Sequence, residues 1–115
     1  DILLEDKKSK AQYFIELKSV TLVENGVARF PDAPTKRGTR HLLTLKSLVK
    51  EGKKAGVVFI IQRGDAVSFR ANNETDPLFA ETLAEVHKAG VEVYAYRCDV
   101  QKDDIHISKR IEVTL

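Results

Sequence analysis

Methionine is absent from this chain of 115 residues, which opens on Asp1. A chain without its own start residue is expected to be one piece of a longer protein. Cysteine occurs once, at Cys98, so no internal disulfide can form, and a reducing compartment, the cytoplasm, is the expected location. No apolar run approaches the roughly 20 residues needed to span a bilayer, and no membrane partner is expected. A Gly-rich phosphate loop, a nucleophile elbow and a dinucleotide fingerprint are all missing, which sets aside the commonest nucleotide-binding and hydrolase classes. His41, His87, His106 and Cys98 show no zinc-like spacing and read as surface or helix-end histidines and a buried thiol. Neither repeats nor low-complexity segments occur.

What is present fits one small domain with a single core, at 43% hydrophobic and 31% charged residues. The net charge of +2 hides an asymmetry. Residues 1–56 hold 12 Lys+Arg against 7 Asp+Glu, a net +5, while residues 57–115 hold 7 against 10, a net −3. A basic first half suits either a solvated face or a polyanionic partner.

Ile2 to Leu4 is a short apolar run, and the "EDKKSK" that follows reads as a hairpin turn leading to a strand over Tyr13–Val20. The "ENG" at 24–26 predicts a tight turn pairing Val20–Val23 with Val27–Phe30. "FPDAPTKRG" reads as a loop, and Thr39 as the cap of a helix running to Gly52 with Leu42, Leu45, Leu48 and Val49 on its apolar side. "GVVFIIQ" at 56–62 predicts a strand buried on both faces, with Gln62 at its end as a strand cap in preference to a site residue. Residues 64–75 read as a loop. "TDP" then opens a second helix, capped by Asp76 or Thr75, with Leu78, Phe79, Leu83 and Val86 as its stripe and Gly90 as its end. "VEVYAYR" at 91–97 is a further strand and "DIHISKRIEVTL" a short alternating tail. The order implies an α/β fold, a mixed central β-sheet flanked by helices.

Within "YFIELKS", strand alternation puts Phe14, Glu16 and Lys18 on one face and Tyr13, Ile15 and Leu17 on the other. Glu16 and Lys18 are then neighbours, either as an exposed ion pair or as part of a site completed by a second carboxylate. Asp1, on the strand that would pair with this one, is placed to supply it. Two converging carboxylates would suit Mg²⁺ or Mn²⁺, and a lysine beside them can face a phosphate or a water. "TKRGTRH" at 35–41 gathers Lys36, Arg37, Arg40 and His41 around a glycine near a helix start, a setting for phosphate or simply a solvated basic loop.

"IELKSVTLVENGVARFPDAPTKRGTRHL", residues 15–42, closely resembles the sugar fermentation stimulation protein A family, which carries a similar E-V-K-S-V-T-L followed by F-P-D-A-x-T-x-R-G-x-x-H-L. The resemblance continues through "AGVVFIIQR", "GVEVYAYRCDV" and the closing "VTL". It implies a restriction-endonuclease-like domain of the PD-(D/E)xK kind, preceded in the family by an OB-fold-like domain and a first helix that this chain lacks. It also implies DNA binding, single- or double-stranded, linked to regulation of sugar metabolism. By motif, Asp1 resembles the acidic residue closing the family's R-I-D segment, and Glu16 and Lys18 resemble its ExK pair. Thr35, Arg37 and His41 match T-x-R-G-x-x-H.

The resulting expectation is a Mg²⁺- or Mn²⁺-dependent nuclease. Asp1, Glu16 and the Leu17 carbonyl would bind the cation, Asp1, Glu16 and Lys18 would be catalytic, and Thr35, Lys36, Arg37, Arg40 and His41 would contact nucleic acid. A regulator that keeps the fold and binds DNA without cutting is the alternative from another class, and a protein-interaction module a third. A homodimer is compatible with all of them.

Overall fold

A computed structural model describes the backbone of residues 2–5, 12–101 and 104–115, and the side chains of residues 12–99 and 106–115. Among the described residues, eight strands and two helices follow in the order β1 (Ile2–Glu5), β2 (Gln12–Val20), β3 (Leu22–Glu24), β4 (Val27–Phe30), α1 (Lys36–Lys50), β5 (Lys54–Ile61), β6 (Ser68–Ala71), α2 (Pro77–Lys88), β7 (Glu92–Gln101) and β8 (Asp104–Thr114). The strands join into one mixed sheet ordered β1, β2, β5, β7, β8, β6, β4, β3. Apolar β5 lies between parallel neighbours, with Glu16 beside Val57 and Lys18 beside Phe59 in β2, and Val57 beside Val93 in β7.

The alternation of β5 divides the sheet into unlike faces. Val57, Phe59 and Ile61 are fully buried under Leu42 and Leu45 of α1 and Phe79, Leu83 and Val86 of α2. Val58 and Ile60 on the other face are only half-buried. The run predicted to be buried on both faces is therefore buried on one, because both described helices pack on the same side of the sheet.

Phe59 stacks on Phe69 at 4.2 Å between ring centroids, and Phe30 meets Phe59 at 5.6 Å and Phe79 at 5.3 Å. These rings tie β5 to the outer strands β4 and β6, curling the sheet around its core. Truncating Phe59 would remove such contacts on several sides, a loss of about 3–5 kcal/mol.

The Asn-Gly turn forms as predicted, with Asn25 at φ 51° and Gly26 at φ 80° between β3 and β4. Three other expectations are corrected. Residues 64–75 contain β6, a strand of four residues whose only fully buried side chain is Phe69, too short to show a period. The supposed tail is β8, eleven residues long, antiparallel to β7 and then parallel to β6, so it joins the two halves of the sheet. Leu78 is not part of the α2 stripe: it is 59% exposed, one residue before buried Phe79.

The first helix begins four residues earlier than its apolar spacing suggests. Thr35, and not Thr39, is the N-cap, its hydroxyl oxygen accepting from the Gly38 N–H at 2.9 Å. Asp76 caps α2, with one oxygen accepting from the Phe79 N–H at 3.0 Å and the other from the Thr35 N–H at 2.9 Å. One buried carboxylate therefore fastens both helix starts. Beside it, buried Asn72 donates its side-chain amide to the Pro31 carbonyl at 3.1 Å, and its backbone N–H to Phe30 at 2.8 Å.

Candidate functional site

Side chains from β2 and α1 place three ionisable groups against one another. Glu16 and Lys18 are adjacent same-face positions on β2, and His41 is in the second turn of α1. The Lys18 Nζ and the His41 Nδ1 each lie 2.8 Å from Glu16 Oε1, and 2.8 Å from each other. The pair is not the exposed one that alternation alone allows, since the Glu16 and Lys18 side chains are only 10% and 13% exposed. Helix α1 covers them.

Arg37 stands one turn before His41 on the same helix face, its Nε donating to His41 Nε2 at 3.5 Å. A guanidinium cannot accept a hydrogen bond, so in this contact His41 Nε2 is the acceptor, while Nδ1 faces both Glu16 Oε1 and Lys18 Nζ. Burial, followed by the charges of Lys18, Arg37 and Arg40, holds the His41 pKa below its ordinary value, in keeping with a neutral ring. Burial and the nearby Arg37 likewise lower the pKa of Lys18.

Each letter of the T-x-R-G-x-x-H word has a distinct physical task. Thr35 caps the helix, Arg37 and His41 share a face, and Gly38 lets the first turn of α1 approach α2. A β-carbon at Gly38 would stand 2.8 Å from Thr35 Cγ2 and 3.3 Å from Phe79 Cε2. Lys36, Arg37 and Arg40 are exposed around the start of α1, whose first turn carries no acidic residue. Basic residues are unfavourable at that end of a helix dipole, so their gathering there concentrates positive charge at the exposed start of the helix.

Oxygen donors can be placed in part. Glu16 provides a carboxylate, and both contacts that described residues make with it fall on Oε1. The Gln62 N–H bonds the Val20 carbonyl at 2.9 Å, so that carbonyl points toward β5, and alternation turns the Leu17 carbonyl the opposite way, toward β1. A carboxylate and a strand carbonyl are hard oxygen donors of the kind that fit Mg²⁺ or Mn²⁺. Asp1 lies outside the described residues, while Ile2 next to it stands opposite Ile15 in β1 and β2. Among the described residues no three or more His, Cys, Asp or Glu side chains converge as a metal-ligand group.

The site therefore gathers Glu16, Lys18, Arg37 and His41, with Lys36 and Arg40 at its rim and Thr35 holding the helix start. Gln62 is a polar strand end, its side-chain amide donating to Ser19 Oγ at 2.7 Å. Cys98 is buried, and His87 is exposed in the last turn of α2. Asp76 also sets the start of α1, a second task that its position just before α2 does not reveal in sequence. A groove between the end of α2 and β8, lined by His87, Val93, Arg110 and Ile111, contains none of the site residues.

Comparison with known proteins places this arrangement in a family. The family model described as the sugar fermentation stimulation protein RE domain matches residues 1–104. The chain belongs to this family. A sugar fermentation stimulation protein homolog from Desulforamulus reducens is 50% identical over 115 residues, covering 100% of this chain and 47% of the relative. Another from Clostridium tetani is 48% identical over 107 residues, covering 93% of this chain and 46% of the relative. Pyrococcus furiosus SfsA, solved in complex with Ca²⁺, superposes with a TM-score of 0.93 at 34% identity, covering 100% of this chain and 49% of that one. The chain thus spans about half the length of the SfsA relatives it matches. Among the described residues no helix is long and apolar enough to cross a membrane.

Proposed function

We propose that this SfsA-family domain is a restriction-endonuclease-like, Mg²⁺- or Mn²⁺-dependent nuclease acting on DNA. The observation that carries the reading is the covered Glu16–Lys18 pair beneath a basic helix start, since an ion pair of merely structural use has no need of Lys36, Arg37 and Arg40 beside it. Glu16 and the Leu17 carbonyl, with Asp1 as the second carboxylate, would hold the cation. A bound divalent cation lowers the pKa of a coordinated water and offsets charge on the scissile phosphate. Lys18, paired with Glu16 as an ammonium, orients the attacking water and stabilises charge developing on the phosphate oxygens. Lys36, Arg37 and Arg40, with the first-turn N–H groups of α1, hold flanking phosphates. The complex of P. furiosus SfsA with Ca²⁺, a hard cation that takes oxygen ligands, supports a divalent site in the family.

The test is cleavage of single- and double-stranded DNA and RNA by the intact protein in Mg²⁺, Mn²⁺ or EDTA. Chelator-sensitive cleavage lost in Lys18→Ala and Glu16→Gln is expected, and cleavage that survives Lys18→Ala sinks the assignment.

One observation favours a second reading, a DNA-binding regulator that does not cut. Among the described residues the site holds one carboxylate against Lys18, Arg37 and Arg40, a balance suited to an anion. That reading requires DNA binding that weakens with salt and ignores EDTA.

A further inference from the structure

We propose that His41 is a positioning residue for Glu16, donating Nδ1–H to Oε1 and so fixing the carboxylate with its other oxygen turned to a cation. This inference rests on the metal-site reading above. The three mutual separations of 2.8 Å cannot all be hydrogen bonds, because a ring nitrogen either carries a proton or does not. With Arg37 donating to Nε2, the proton is on Nδ1, and Glu16 Oε1 accepts from both His41 and Lys18. The approach of Lys18 to His41 is then that of two donors sharing one anion.

Lys18 cannot orient Glu16 alone, for its ammonium rides on a flexible four-carbon stem from the same strand. His41 comes from a helix whose start is tied down at Thr35, closed against Phe79 at Gly38 and anchored to Asp76. The imidazole is thus the rigid side of the clamp. Outer partners that orient a ligating group typically change metal affinity 10- to 100-fold when removed. The role differs from the phosphate contact that a basic loop suggests, because the Nδ1 edge faces Glu16 and not the exposed rim.

The test uses the intact protein, with histidine ¹⁵N spectra for the tautomer and calorimetric titration with Mn²⁺ for the site. The expected spectrum shows His41 protonated on Nδ1 and bare on Nε2. Glu16→Gln should lose Mn²⁺ binding, His41→Ala should weaken it by about 10- to 100-fold, and His41→Asn, whose amide can replace the Nδ1 donor, should restore it. His41→Gln, whose amide reaches the Nε2 position instead, should not. Urea midpoints for each variant separate lost orientation from lost folding. A wild type that binds Mn²⁺ with His41→Ala unchanged, or that shows the Nε2–H tautomer, overturns the positioning role alone. A wild type that binds no Mn²⁺ overturns the metal site and the positioning role together.

Discussion

Replacing Gly38 by alanine should destabilise this protein, although the same exchange within an ordinary helix stabilises it. Alanine gains about 1 kcal/mol over glycine in a helix interior. Against that, the new β-carbon would stand 2.8 Å from Thr35 Cγ2, 3.1 Å from Thr35 Oγ1 and 3.3 Å from Phe79 Cε2. Phe79 is fully buried and packed edge-on to Phe30, so it has no room to yield, and the strain falls on Thr35. Overpacking typically costs about 1–3 kcal/mol. Displacing the Thr35 hydroxyl from the Gly38 N–H adds about 1 kcal/mol for the lost cap. The net expectation is a loss of about 1–3 kcal/mol after the helix gain is subtracted. Urea denaturation measures it as a lower midpoint at unchanged slope. Gly52→Ala is the contrasting case, since nothing lies within 4 Å of its β-carbon and only its φ of +84° opposes the change, at about 1–2 kcal/mol. A Gly38→Ala protein as stable as wild type, or more so, would refute the close-approach account. It would also remove one of the three ties that hold the start of α1, leaving the Thr35 cap and the Asp76 anchor.

Asp76→Ala removes a buried carboxylate that accepts from both Thr35 and Phe79, and should cost about 2–4 kcal/mol by the same denaturation assay. A loss under about 1 kcal/mol would show that the two helix starts are not fastened through it. Lys36→Glu should raise stability by about 0.3–1 kcal/mol, because an anion suits the start of a helix. The same change should weaken DNA binding and reduce its salt slope by about 1, so binding that is unaltered would exclude Lys36 from the phosphate contacts. Lys18 has its folded-state pKa lowered from 10.5, so the unfolded chain binds the extra proton between those values and stability contributed by this residue rises with pH across that window. The urea midpoint of wild type should therefore rise relative to that of Lys18→Met as pH rises toward 10.5, and strictly parallel curves would contradict the lowered pKa. Phe59→Ala, which takes away the ring stacked on Phe69, should cost about 3–5 kcal/mol, and a loss below about 1 kcal/mol would mean the curled sheet does not depend on that ring.

The outline of the chain was legible where a residue's neighbours in sequence decide its conformation. Asn25 and Gly26 specify their turn through their own φ angles, Pro77 opens α2 behind the Asp76 cap, and the alternation of β2 put Glu16 and Lys18 on one face. The T-x-R-G-x-x-H word pointed to a helix start and a basic rim, yet the apolar spacing from Leu42 onward placed that start at Thr39, because the first turn carries no large apolar side chain even though Gly38 and Thr39 are buried. The strand β6 escaped notice because four residues with one buried side chain carry no measurable period. The β8 strand read as a tail because only its partners in β7 and β6 make it interior to the sheet.

By itself, then, the sequence determined the candidate pair on β2, the basic word beside it and the family to which both point, since these rest on residue identity and short-range spacing. Only the tertiary structure decided that the pair is covered, that His41 turns toward Glu16, and that Asp76, 41 residues after Thr35, holds the helix in place to do so. The physical reason is that burial and a second hydrogen-bond partner are properties of packing, set by the meeting of α1, α2 and β2. No local pattern records where a carboxylate will find its second donor.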